Sequence, residues 1–94
     1  HPALAALAAY LRDRPGRRVV LVGHTDAVGA LEGNIALSRA RAEAVMRRLT
    51  GRHGVDPGQL SAEGVGFLAP VASNLTEEGR EANRRVEAVL LARE

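Results

Sequence analysis

Asp26 and Arg41 are the side chains whose types and spacing could do chemistry together. In "LVGHTDAVGALEGNIALSRARA", Leu21 to Ala42, the acid follows a short apolar run and the base lies in a stretch of helical periodicity. A carboxylate selects an ammonium, and a guanidinium forks onto a carboxylate through two parallel hydrogen bonds. The pair therefore suits a zwitterion of the amino-acid type. An acid and a base near one another also commonly form a structural ion pair, so spacing alone leaves both readings open. Asn34, Leu37 and Arg41 recur at i, i+3 and i+7, which predicts a common helix face apart from the stripe of Ile35, Val45 and Leu49.

Other chemistries lack parts. All 13 basic residues are Arg and there is no Cys, which removes lysine Schiff bases, thiol nucleophiles, disulfides and cysteine metal sites. His24 and Asp26 form an H-x-D pair, but His1 and His53 have no ligand spacing to it, so no metal or cofactor is expected and His24 reads as a hydrogen-bonding loop residue. Gly23, Gly29 and Gly33 resemble a phosphate loop only superficially, because no GxxxxGK[ST] accompanies them. Ser38, Ser61 and Ser73 stand in no G-x-S-x-G context. Arg84-Arg85 opens a predicted strand, so one is expected to pair inward with a carboxylate and the other to be solvated. The net charge of +2 does not demand nucleic acid, and a basic stripe would want aromatic company where the chain has one Phe and one Tyr. A small basic α/β nucleic-acid-binding domain is nevertheless the alternative function, with an Asp/His hydrolase behind it.

The elements that must position these residues follow from periodicity. "PALAALAAYLRDRPG" predicts a helix over residues 2–12, ended by Pro15-Gly16. "RRVVLVG" predicts a buried strand over 18–23, and "HTDAVGALEG" a loop. A long helix is expected from Asn34, its cap candidate, to Gly51 or Gly54, with Ile35, Ser38, Ala42, Val45, Met46 and Leu49 facing the core. Pro57-Gly58 marks a turn before an irregular strand over 60–65. "NLTEEGREAN" predicts a short helix capped by Asn74 or Thr76, and "RRVEAVLLA" a closing strand. At 94 residues and 46% apolar composition the chain suits one small domain over 1–94. Amphipathic helices need a sheet to cover, which predicts an α+β fold: a two-layer α/β sandwich with a small mixed sheet. No signal peptide or membrane span is legible.

Five stretches then carry a resemblance. "GHTDAVG", "NIALSRARAEAV", "GVGFLAP", "SNLTEEGR" and "NRRVEAV", in this order from about Arg18 to Leu91, resemble the OmpA-like peptidoglycan-binding domain of OmpA-type, Pal-type and MotB-type envelope proteins. The resemblance implies a periplasmic, non-enzymatic module that anchors an envelope protein by holding meso-diaminopimelate of the peptidoglycan stem. It implies Asp26 and Arg41 as the clamp, Asn34 and Leu37 at the pocket wall, and Thr25 and Asn74 as weaker backbone or ligand contacts. Any membrane attachment would come through segments outside this chain. It also implies a strand ahead of the first helix, placed upstream of residue 1, whose absence would expose a sheet edge to self-association as a homodimer.

Overall fold

Leu4, Leu7, Ala8 and Leu11 recur at helical spacing, and in the computed structural model, which describes residues 2–91, they lie on one helix, α1 (Pro2–Arg12). Ala8 and Leu11 are fully buried, while Leu4 and Leu7 are partly buried. The apolar run that follows forms β1 (Val19–Gly23), whose alternate residues Val19 and Leu21 enter the core. A long helix, α2 (Leu31–Gly51), crosses over to β2 (Leu60–Gly64), with a 3-10 turn at Pro57–Gln59 ahead of that strand. A short helix, α3 (Glu77–Asn83), precedes β3 (Val86–Leu90). The expected strand upstream of residue 1 lies outside the described residues.

The sheet order is β2-β1-β3. β1 pairs in parallel with β2, from Val19 opposite Leu60 to Gly23 opposite Gly64, which requires the α2 crossover between them. It pairs antiparallel with β3, from Val19 opposite Leu90 to Gly23 opposite Val86. Leu4 and Leu7 of α1, Val45 of α2, and Leu21, Val86 and Ala88 of the sheet line one groove, so both long helices share one face of the sheet. The arrangement is a small α+β domain with helices on one face of a mixed three-stranded sheet. Ala42 and Leu49 of α2 meet Ala8, Leu11, Val19, Leu21 and Val55 in the core. This burial is the main favourable term for holding the two layers together.

Two glycines set how closely α2 approaches the sheet. A Cβ on Gly23 would stand 1.9 Å from the Ser38 carbonyl oxygen, and one on Gly64 would stand 2.4 Å from the Arg39 amide nitrogen. Neighbouring strands therefore end in glycine where one turn of α2 presses its backbone onto them. Ser38 is fully buried there and accepts a hydrogen bond from the Gly66 amide at 3.0 Å.

The long helix starts earlier than its pattern predicts. It begins at Leu31, with Ala30 as an N-cap that supplies no side-chain bond, so Asn34 is a first-turn residue and not the cap. Its side-chain amide donates backwards, to the carbonyls of Val28 at 2.8 Å and Ala30 at 3.0 Å, and so secures the loop that enters the helix. Asn34 is buried while Leu37 is 44% exposed, so the two differ in their access to solvent. Asn34 belongs with Ser38 and Ala42, the buried side of α2.

Candidate functional site

The C-terminal end of β1 carries the site because its two neighbours continue to hold it beyond Gly23. The His24 amide donates to the Arg85 carbonyl at 2.8 Å, on the β3 side. The Thr25 amide donates to the Gly66 carbonyl at 2.8 Å, on the β2 side. Asp26 thus emerges between the loops that flank the central strand, a place where open α/β sheets commonly bind ligands. Thr25 is buried, and its hydroxyl donates to the Asp26 carbonyl at 2.9 Å. Asn74 reaches the same loop from the far side: its Oδ1 accepts from the Ala27 amide at 3.1 Å.

The carboxylate of Asp26 is fixed through both oxygens. Oδ1 accepts from the Val28 amide at 3.1 Å, closing an Asx turn, and Oδ2 accepts from Arg84 Nη1 at 2.7 Å. The side chain is 15% exposed. Its carboxyl is held below the usual carboxylate range, first by the Arg84 hydrogen bond and then by the Val28 amide, against a smaller opposing effect of desolvation. Arg84 itself is the residue that ends α3, and the turn of its backbone out of the helix lets its side chain reach across 58 positions of sequence. Its other terminal nitrogen, Nη2, donates to Glu77 Oε1 at 2.7 Å. Glu77 also accepts from Arg80 Nε at 3.2 Å, and Arg80 Nη1 donates to the Asn74 carbonyl at 2.9 Å.

Arg41 lies midway along α2, and no ion pair joins it to Asp26 among the described residues. It lines the groove of about 850 Å³ between α1, α2 and β3, together with Arg48, Arg84 and Arg85. Arg84 therefore belongs to both places: it touches Asp26 and borders the groove that Arg41 borders. The apolar floor is Leu4, Leu7, Leu21, Val45, Val86 and Ala88.

Arg85 forms a second ion pair, with Glu87, to which its Nε donates at 2.7 Å. The expectation that one of Arg84 and Arg85 is solvated is corrected: both are paired, because Arg84 still belongs to the end of α3 and only Arg85 leads into β3. Glu87 also lies 3.3 Å from Nε2 of the buried His24, whose Nδ1 has no hydrogen-bond partner among the described residues. Burial, then the Arg85 charge, hold the imidazole below its ordinary pKa, and Glu87 opposes them. Among the described residues no group of three or more His, Asp and Glu could hold a metal.

Asn83 is the residue here that sequence reasoning missed. It is fully buried, and its Oδ1 accepts from the amides of Val71 and Ala72 at 2.8 and 3.1 Å. Its Nδ2 donates to the Ala72 carbonyl and to Asn74 Oδ1, each at 3.0 Å. The loop facing Asp26 is thereby tied to α3 through one amide.

A family model described as the OmpA family matches residues 1–84, which include the Asp26 loop, all of α2 and Arg84. The chain belongs to the OmpA family. An OmpA-family relative, outer membrane porin F of Pseudomonas aeruginosa, is 45% identical over 82 residues, covering 87% of this chain and 23% of that protein. The peptidoglycan-associated lipoprotein of the same organism is 45% identical over 87 residues, covering 90% of this chain and 51% of that protein. The crystal structure of the peptidoglycan-associated lipoprotein from Burkholderia pseudomallei superposes with a TM-score of 0.88 at 39% identity, covering 94% of this chain and 74% of that one. This OmpA-family chain thus spans about a quarter to a half of the length of these two curated relatives. The shared fold sets Asp26 at the head of the sheet and Arg41 beside the groove.

Proposed function

We propose that this domain binds cell-wall peptidoglycan in the periplasm without catalysis, as part of an outer-membrane or otherwise envelope-anchored protein. The ligand group is the free end of meso-diaminopimelate in the stem peptide. One observation carries this reading: Asp26 is a rigid, ionised carboxylate joined through Arg84 to the groove that Arg41 borders. The ammonium of the ligand would pair with Asp26, and its carboxylate would take the guanidinium of Arg41, whose side chain has no ion-pair partner among the described residues. Two relatives whose names describe a peptidoglycan-associated lipoprotein support wall binding. Leu37, half exposed on α2, offers apolar contact beside the clamp, while Asn34, Thr25 and Asn74 act by holding its loops. No bond is made or broken in this process, so the protein is a tether.

The test is cosedimentation with insoluble peptidoglycan. Asp26→Asn and Arg41→Ala should each weaken binding roughly tenfold or more, because each removes one charge-assisted half of the contact. Lysine-type wall lacks the side-chain carboxylate for Arg41 and should bind less than diaminopimelate-type wall. Parent-like sedimentation of both variants, or equal binding to both walls, overturns the clamp. Affinity for nucleic acid that collapses steeply with salt would favour a phosphate-binding role instead.

A further inference from the structure

Glu77 has no part in the clamp just described, yet it is bonded to the residue that occupies it. It stands at the first position of α3 with a side chain 62% exposed. Arg84 donates to it through Nη2 at 2.7 Å and to Asp26 through Nη1 at 2.7 Å. Separate nitrogens serve the two acids, so release from one does not require release from the other. Asp26, for its part, has Oδ1 committed to the Val28 amide and Oδ2 to Arg84. An arriving ammonium meets a carboxylate that already has a cation.

Taking the diaminopimelate reading as its basis, we infer that Arg84 is an internal competitor for the ammonium position at Asp26, and that Glu77 retains Arg84 when the ligand displaces it. The charges make the case. Asp26 and Glu77 face Arg84 and Arg80 in one cluster, two negative against two positive. The ligand's ammonium raises that balance to one positive charge, and without Glu77 it would be two. Arg80 reaches Glu77 through Oε2 and Arg84 through Oε1, so one carboxylate can hold both arginines at once. The Glu77 side chain is 62% exposed, so water can solvate its carboxylate while Arg84 moves. Glu77 therefore sets affinity without touching the ligand.

Calorimetry on the 94-residue chain with the tripeptide L-Ala-D-Glu-meso-diaminopimelate tests this. Glu77→Gln should bind about threefold or more weakly, Glu77→Asp should recover part of the loss, and Arg84→Gln should bind more tightly than the parent. Glu77→Gln should cost less affinity in the Arg84→Gln background than in the parent, because Glu77 acts chiefly through Arg84. A melting temperature near the parent's in Glu77→Gln separates this effect from damage to α3. Parent affinity in Glu77→Gln overturns the inference, and so does weaker binding in a well-folded Arg84→Gln, which would make Arg84 a support for Asp26. These failures leave the clamp standing if Asp26→Asn still weakens binding roughly tenfold or more. A parent chain that does not bind the tripeptide removes the clamp and the inference together.

Discussion

His24 is sealed beneath the site, and that makes the domain sensitive to pH well above the range where its carboxylates titrate. The folded state holds the imidazole neutral, with its pKa below the ordinary value of about 6.5, because burial and the Arg85 charge outweigh Glu87. Below that value the unfolded chain takes up a proton that the folded chain refuses. Stability is therefore expected to fall as pH drops from about 6.5 towards the folded pKa of His24. Urea denaturation at pH 7.5 and 5.5 checks this, and His24→Gln should flatten that part of the profile; an unchanged slope in the variant would exclude His24 as its source. Asp26 and Glu77, held below the usual carboxylate range chiefly by Arg84, add a further loss only in stronger acid. At this scale the placement of Asp26 after a strand and of Arg41 within a helix was legible, because local periodicity marks both elements. Arg84 as the partner of Asp26 was not, because a contact across 58 positions leaves no mark in local spacing.

Most elements were legible for the same reason that they form. The periodicity of α1 and the apolar run of β1 fix both, and their bounds match the expected ones to a residue or so. The early start of α2 was hidden by "ALEG", where Gly33 reads as a loop residue although the helix absorbs it without crowding. Buried polar residues were hidden more deeply. Gln59 is buried with Nε2 within 3.1 Å of the carbonyls of Leu11, Arg14 and Arg17, pinning the turn between α1 and β1, and nothing in "DPGQL" announces it. Asn83 does the same for α3, a helix of seven residues that is too short to persist on its own. Thr76 caps its start through the Gly79 amide at 3.0 Å, but Asn83 is what fastens it to the loop. Asn83→Ala should cost about 2–3 kcal/mol, since it removes four hydrogen bonds made by a fully buried side chain. Equilibrium denaturation measures that cost, and a loss under about 0.5 kcal/mol would mean the loop finds other partners. Wall binding should weaken with it, because Asn74 and Arg84 both take their bearing from α3.

The whole molecule places its site and its last strand residue at opposite ends of the sheet. β3 runs antiparallel to β1, so Leu90 lies opposite Val19 while Asp26 follows Gly23 at the other end, and the Leu91 amide still donates to the Arg18 carbonyl at 3.0 Å. A pull between the Asp26 loop and Leu91 therefore runs along the strands. The bonds joining β1 to β3 are then loaded side by side and must rupture together, whereas a pull between Arg18 and Leu91, neighbours at one end, opens the same ladder one rung at a time. The domain is expected to be mechanically anisotropic, stiff along the line from the Asp26 loop to Leu91 and weak across it. The chain has no cysteine, so pairs introduced at Ala27 and Leu91 or at Arg18 and Leu91 give unique handles for single-molecule pulling. The first pair should show the higher unfolding force at any one loading rate; equal forces would mean that the β1–β3 ladder does not bear the load.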